Sequence, residues 1–183
     1  MPSGQTHDRI TLWSLPVVTG LAIAFTRSGN LTLLISGGFL FSGLMLSPDL
    51  DLRSLPFKRW GWLRWIWIPY QKSMRHRSVF SHGPIIGTTL RVLYLACWLV
   101  LLGMLILVAV QLFQDVPLNR QGFTQSVRHF FSNYWTEWVA LFVGLELGAM
   151  SHSLSDWTNS AYKRSKKKKP RSRKGSTRRT SKK

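Results

Sequence analysis

Four apolar segments separated by polar connections dominate the sequence, and they run from about residue 12 to 26, 31 to 46, 85 to 113 and 135 to 154. The third segment has no charged residue over the 22 positions from Val92 to Phe113. That is enough for a hydrocarbon core of roughly 30 Å, which needs about 20 helical residues. The first two segments have about 15 residues each. They predict either a thin or re-entrant helical hairpin, or spans that flanking residues extend.

This pattern predicts an all-α integral membrane protein, a bundle of about four apolar helices. A run as long as the third segment has no comparable place in a small soluble core. The fourth segment is weaker because Glu137 and Glu146 interrupt it. We expect one helical domain over residues 1–162, followed by a separate tail.

A cleaved signal peptide is the alternative interpretation of the N-terminus. The sequence Ala22-Ile23-Ala24 resembles a cleavage site that follows an apolar core. However, Asp8 beside Arg9 leaves the preceding region without the usual positive bias. We therefore expect the first helix to be retained.

The tail, residues 163–183, holds 13 of the 25 Lys and Arg residues and no acidic, aromatic or aliphatic residue. The remaining 12 basic residues face 7 acidic ones, so the net charge of +18 falls to +5 without the tail. Such a segment is too charged and too poor in apolar residues to fold, and we expect it to be disordered. It suits contact with anionic lipid headgroups, or more weakly with nucleic acid. It can equally be a solvated segment that fixes topology.

The distribution of basic residues predicts the orientation in the membrane. The 47–84 connection carries seven Lys and Arg residues, the 113–135 connection carries only Arg120 and Arg128, and the first turn only Arg27. Four spans then place both termini and the 47–84 connection in the cytoplasm. His129 alone among the histidines falls on the opposite side, as a solvated loop residue.

The 47–84 connection contains a tryptophan-rich stretch from Phe57 to Tyr70, in which aromatic and basic residues alternate. Interleaved aromatics and bases can stack on nucleic acid bases. In a membrane protein they more often mark the headgroup belt, where an indole buries its ring and keeps its N–H in water. We expect this stretch to lie in the interface plane on the cytoplasmic side.

Residues that can bind a metal ion stand at the ends of the apolar segments, and the predicted topology brings these ends to one face. Asp49 and Asp51 follow the second segment, where a loop can aim both carboxylates at one cation, whereas an intact helix would splay them. The other candidates precede the first segment, precede the third and close the fourth. They are His7, His76, His82, His152 and Asp156.

His152 and Asp156 can be placed on one helix face because positions four apart lie one above the other. The same stripe continues back through Gly148 and Gly144, and small residues on such a stripe let another helix approach closely. The face that carries His152 and Asp156 should therefore point into the bundle. Glu146 lies on roughly the opposite side and can pair with Arg91, although Arg91 can equally extend to the headgroups.

Imidazole and carboxylate ligands without thiolate favour Zn²⁺ and also suit Mn²⁺ or Fe²⁺. The single cysteine, Cys97, lies inside an apolar run and offers neither a disulfide framework nor a thiolate site. Seven candidate ligands exceed the three or four protein ligands of one catalytic zinc. The site is then either a two-metal centre, or one metal with further carboxylates that orient the histidines.

Three motifs, Pro48-Asp49-Leu50-Asp51, His76-Arg77-Ser78-x-x-Ser81-His82 and His152-x-x-x-Asp156, together with a histidine near the N-terminus, resemble the pattern of the bacterial membrane-bound metal-dependent hydrolases. Thr6-His7-Asp8, the tryptophan-rich stretch and the basic tail are similar to the uncharacterised metal-binding membrane proteins of cyanobacteria. The resemblance covers about residues 5 to 160. It implies a metal-binding helical membrane domain with these residues as ligands.

The leading functional hypothesis is metal-assisted hydrolysis of a phosphoester or another ester at the cytoplasmic membrane face. Asp156 would serve as a ligand or as a base held beside the metal, and Arg77, with Arg75, would stabilise negative charge on the substrate. Both arginines can instead be ordinary positive charges on a cytoplasmic loop. The alternative hypothesis is a non-catalytic metal-binding scaffold, sensor or assembly factor, because no nucleophile motif or glycine-rich phosphate loop is present. A further alternative is a membrane or nucleic acid tether driven by the tail.

Overall fold

The computed structural model describes residues 4–74, 83–114 and 120–168, and this part of the chain is all-helical. Two long helices open it, α1 (Gly4–Thr26) and α2 (Gly29–Leu44). A compact connection follows, made of a 3₁₀ turn, Pro48–Asp51, the helix α3 (Leu55–Arg59), a second 3₁₀ segment, Gly61–Trp67, and the helix α4 (Ile68–Ser73). The remaining helices are α5 (Ile86–Gln114), α6 (Arg120–Asn133) and α7 (Trp135–Lys168).

Three helical stretches of the described chain are long and apolar enough to cross a membrane, namely Gly4–Thr26, Gly29–Asp51 and Ile86–Phe113. The first two reach 23 residues because flanking residues extend the apolar segments. The predicted all-α class is confirmed, with three such stretches in place of about four. The fourth apolar segment forms the first part of α7, whose second half is polar and basic and which carries Glu137 and Glu146.

The turn between α1 and α2 is short, so the two helices run antiparallel. The side chain of Ser28 caps α2 by accepting a hydrogen bond from the Leu31 N–H at 3.4 Å. Further along the pair, the hydroxyls of Thr19 and Ser36 lie 2.9 Å apart. These contacts bring the start of α1 to the same end of the bundle as the end of α2.

Glycines let α2 and α7 pack backbone against backbone. A Cβ atom added at Gly144 would lie 2.2 Å from the Ile35 carbonyl oxygen, and one at Gly148 would lie 2.5 Å from the Phe39 carbonyl oxygen. On α2, a Cβ at Gly38 would lie 2.8 Å from the Leu141 carbonyl oxygen. The predicted close approach along the glycine stripe is confirmed, and this stripe leads directly to His152.

The 47–84 connection supplies five of the seven buried residues of the larger hydrophobic cluster in the described part of the chain. Trp67 is fully buried and Tyr70 almost so, packed with Leu46, Leu50 and Leu145. The expectation that this stretch lies at a membrane interface therefore applies only to some of its aromatics. Trp62 is the clearest of these, with 80% of its surface exposed.

Helix α5 exposes apolar side chains along its length, ending with Leu112 at 77% and Phe113 at 87% exposure. The candidate span within it is not covered by the rest of the described chain. Isolated exposed apolar residues are ordinary, but a continuous apolar surface of this extent marks an interaction site, often with a membrane. The exposure of α5 is therefore consistent with membrane association.

We predict that Gly144→Ala destabilises the protein, because the new methyl group must displace the Ile35 carbonyl oxygen. Overpacking of this kind costs about 1–3 kcal/mol, which should lower the thermal unfolding midpoint measured in detergent. Gly37→Ala is the matched control, since a Cβ at Gly37 meets nothing within 4 Å. Equal midpoints for the two variants would contradict the close packing of α2 and α7.

Candidate metal centre

Two histidines from opposite ends of the chain meet at the end of the bundle. The imidazole rings of His7 on α1 and His152 on α7 stack, with centroids 3.9 Å apart and planes inclined by 21°. Both side chains are buried, at 5% and 4% exposure. Stacked, buried imidazoles need polar partners for their ring nitrogens.

Two carboxylates, those of Asp156 and Asp49, lie beside the stacked rings. Asp156 Oδ1 lies 3.3 Å from His7 Nε2, and Asp156 Oδ2 lies 4.0 Å from His152 Nε2. Asp49 Oδ2 approaches His152 Nε2 to 3.3 Å from the other side. His7, His152 and Asp156 each offer one ligand atom, and these atoms lie within 4.8 Å of one another. Four of the seven predicted ligands therefore come together.

Ser155 fixes the orientation of the His7 ring. Its hydroxyl donates to the His152 carbonyl oxygen at 2.9 Å and lies 2.7 Å from His7 Nδ1. These two contacts place the hydroxyl between the turn that carries His152 and the ring of His7. The other ring nitrogen of His7, Nε2, faces the Asp156 carboxylate.

The ring of His152 lacks hydrogen bonds to the described part of the chain. Neither of its ring nitrogens makes one within the described residues, although two carboxylate oxygens lie within 4.0 Å of Nε2. Imidazole nitrogens and carboxylate oxygens therefore converge at one end of the bundle. The donor set therefore fits a divalent cation bound by imidazole and carboxylate.

The 3₁₀ turn that carries Asp49 is tied down through its backbone. Ser54 Oγ donates to the Asp49 carbonyl oxygen at 2.7 Å. The amide of Gln71 donates to the carbonyl oxygens of Leu50 and Leu52 at 2.9 and 3.0 Å. These bonds hold the main chain of the turn from which the Asp49 carboxylate approaches His152.

The start of α1 is held by an arginine of α3. Arg59 binds both carboxylate oxygens of Asp8, with Nη1 2.9 Å from Oδ1, and the same Nη1 donates to the Leu44 carbonyl oxygen at 2.9 Å. One guanidinium thereby joins α1 to the end of α2. Asp8 is adjacent to His7, so this ion pair sets the position of the His7 ring.

Asp51 lies apart from this cluster, in a second polar group. The prediction that both carboxylates face one cation assumed a loop, but the segment forms a 3₁₀ helix. Side chains two positions apart in such a helix point in directions about 120° apart. Asp51 is buried and lies within electrostatic range of Tyr70 and Arg91. Burial raises the pKa of Tyr70, and the charge of Arg91 opposes that rise.

Arg91 and Glu146, which the sequence suggests as a pair, lie close to each other in the structure. Both side chains line one cavity of about 20 Å³, and Glu146 Oε1 accepts a hydrogen bond from the Ile85 N–H at 2.9 Å. The carboxylate of Glu146, a residue of α7, therefore contacts the chain just before α5. It lies on a different side of α7 from His152. This agrees with the prediction that it is not a metal ligand.

Four predicted site residues lie outside the described part of the chain: Arg75, His76, Arg77 and His82. Gly83, the first described residue after them, lines the same small cavity as Pro48. The chain therefore re-enters the structure beside the turn that carries Asp49. Roles for these four residues stay predictions, as does a ligand role for Asp51. His129 lies on α6, where it contacts Asn133, and it is not a member of the cluster.

Sequence reasoning missed the residues that support the ligands: Asp8, Arg59 and Ser155. Arg59 and Asp8 are 51 positions apart, and no local spacing links them. A signal for Ser155 was available, because a position three after His152 lies on the same side of a helix. A hydroxyl there can reach both the preceding turn and a neighbouring ring.

Together, the helical fold and the His/Asp cluster define a helical protein with a candidate site for a divalent metal ion. The family model described as "Uncharacterized metal-binding protein (DUF2227)" matches residues 2–166. The chain belongs to this family.

Among curated proteins, an uncharacterized protein of Aquifex aeolicus (strain VF5) is 42% identical over 59 residues. The match covers 32% of this chain and 41% of that protein, so the chain spans about two-fifths of the length of this relative. No solved structure matches the chain. The metal-binding part of the predicted resemblance is confirmed, while the likeness to hydrolases and to cyanobacterial proteins stays a prediction.

We predict that Ser155→Ala weakens metal binding about 10- to 100-fold, the usual effect of removing a group that orients a metal-binding histidine. The apparent Kd for Zn²⁺ would be measured by competition with a chelator in detergent. Ser160→Ala, one turn further along α7, should leave the Kd unchanged. Equal affinities of the Ser155→Ala variant and the unmodified protein would contradict the role assigned to this hydroxyl.

Proposed function

We propose that this protein binds a divalent cation at the cytoplasmic face of the membrane and uses it to hydrolyse a phosphoester or another ester. The observation that carries the metal proposal is the convergence of His7, His152 and Asp156, whose ligand atoms lie within 4.8 Å of one another. His152 Nε2 and Asp49 complete a set of two imidazoles and two carboxylates. Membership of a metal-binding family supports the same conclusion.

Zinc is the favoured ion, with Mn²⁺ or Fe²⁺ as alternatives. Two imidazoles and two carboxylates suit a four-coordinate zinc site, and harder metals also accept carboxylates. His76 and His82, together with Asp51, would supply ligands for a second ion or for an expanded first shell. Two bound ions per chain would indicate the second-ion arrangement, and one ion would indicate the expanded first shell.

We place both termini and the 47–84 connection in the cytoplasm, as integral parts of a membrane protein. The positive-inside rule supports this placement, because that connection holds seven basic residues. The cluster joins the start of α1 to the end of α2, so it would lie at the same face. The basic tail would then contact anionic lipid headgroups, with nucleic acid as the weaker alternative partner.

For hydrolysis, a bound divalent ion would lower the pKa of a coordinated water toward 7 and polarise the scissile group. Asp156 would serve as a ligand or as the base beside the ion, because its carboxylate oxygens lie 3.3 Å from His7 Nε2 and 4.0 Å from His152 Nε2. Arg77 would bind the negative charge that develops on the substrate. Arg59 is not available for this role, since its guanidinium is bound by Asp8.

A non-catalytic metal-binding role is the second candidate, and the burial of both imidazoles favours it. Structural metal sites are closed, whereas catalytic sites keep a position open for water. Among the four clustered side chains, only Asp49 and Asp156 reach the surface, at 17% and 14% exposure. The two candidates differ in whether substrate can reach the ion past these carboxylates.

We predict that detergent-purified protein carries metal in near-stoichiometric amount and that His7→Ala/His152→Ala loses it. Elemental analysis per chain gives the ratio, and a value near two would indicate a dinuclear centre. Bound metal should also be lost as the pH falls below about 6, because ligands must be deprotonated to bind. His76→Ala/His82→Ala tests the two histidines outside the described residues in the same assay.

The matched control is His129→Ala, which removes an imidazole away from the cluster and should keep full metal content. Folding of each variant is checked by circular dichroism. If unmodified protein is metal-free after gentle purification and takes up neither Zn²⁺ nor Mn²⁺, the metal proposal is wrong.

We further predict that metal-loaded protein hydrolyses phosphoesters and that Arg77→Gln lowers kcat about 10²-fold or more while metal content is kept. Arg27→Gln, in the first turn, is the charge-matched control and should behave as unmodified protein. If metal-loaded, folded protein hydrolyses no compound in a broad screen of phosphoesters and carboxylesters, the non-catalytic role is favoured.

A further inference from the structure

A groove of about 520 Å³ opens beside the tryptophan-rich connection. Its walls come from α3, the Gly61–Trp67 segment and α4. This volume is within the range of sites that hold small molecules. The groove is lined by Arg53, Phe57, Lys58, Trp62, Arg64, Trp65, Ile68 and Gln71.

One side of the groove is strongly basic. Arg53, Lys58 and Arg64 are exposed, and no acidic residue lines the groove with them. Within the described residues none of the three forms an ion pair, whereas the neighbouring Arg59 is bound by Asp8. The concave surface therefore presents three uncompensated positive charges and selects for an anion.

The other side is aromatic and apolar. Trp62, Trp65 and Ile68 line the groove and expose 80%, 48% and 43% of their surfaces. Exposed indole and aliphatic groups are stabilised by apolar contact. An inorganic anion cannot provide such contact. The occupant must therefore carry an anionic group and an apolar chain together.

The apolar wall continues into the candidate membrane-spanning helix α5. The ring of Trp65 packs edge-on against Trp98, with centroids 5.2 Å apart and planes at 87°. The apolar wall of the groove therefore adjoins the stretch of α5 that is long and apolar enough to cross a membrane.

We propose that this groove is a binding site for one anionic phospholipid. Its phosphate would lie among Arg53, Lys58 and Arg64, and its acyl chains would lie on Trp62 and Trp65. Gln71 connects this site to the metal centre, because it lines the groove and also bonds to Leu50 and Leu52 in the turn that carries Asp49. The lipid is thereby held next to that turn, whether or not the metal centre is catalytic.

The test titrates the full chain in a neutral detergent with phosphatidylglycerol or phosphatidylcholine and counts bound lipids by native mass spectrometry. Phosphatidylglycerol should bind saturably, one per chain, and phosphatidylcholine should not. Arg64→Gln should weaken the apparent Kd about fivefold, the contribution of one basic residue near anionic lipid. Trp62→Ala should also weaken binding, through the acyl chains.

Lys72→Gln is the matched control, because Lys72 is exposed on α4, carries the same charge and does not line the groove. The basic tail is the same in every variant, so lipid attracted to it cancels. Equal weakening by Arg64→Gln and Lys72→Gln would overturn the site in favour of general charge attraction. Displacement of phosphatidylglycerol by inorganic phosphate, or equal binding of phosphatidylcholine, would also overturn it. Unchanged metal content and circular dichroism confirm that each variant is folded.

Discussion

Glycines at Gly38, Gly144 and Gly148 bring the backbones of α2 and α7 into direct contact, and the approach of Asp49 to His152 depends on that contact. The glycine stripe of α7 continues into His152, while α2 continues into the turn that presents Asp49. Any side chain between the two helices would push these residues apart. Close backbone packing of this kind is typical of membrane helices, where small residues replace the hydrophobic effect as the source of association.

The cluster also has to solve an electrostatic problem. Two buried imidazoles lie 3.3 to 4.0 Å from two carboxylates, with Ser155 beside one ring. Burying charged and polar groups is costly unless they are satisfied, and a bound cation would satisfy imidazole and carboxylate together. The ion pair between Asp8 and Arg59 lies outside the cluster, and it holds the start of α1 in place.

Periodicity could predict that His152 and Asp156 share a helix face, and membrane topology could predict that His7 and Asp49 reach the same end. These arguments need only chain direction and helix geometry. The division between Asp49 and Asp51 could not be predicted, because it depends on whether one short turn is a loop or a 3₁₀ helix. The burial of Trp67 and Tyr70 could not be predicted either, since composition does not distinguish an interfacial tryptophan from a core one.

The distance along the chain between His7 and His152 has a consequence for how the protein matures. One histidine is made near the start of synthesis and the other only when α7 leaves the ribosome. If the proposed ion binds here, both histidines can hold it only after α7 has been made and has packed beside α1. Metal held by both histidines would then report that these two helices have come together.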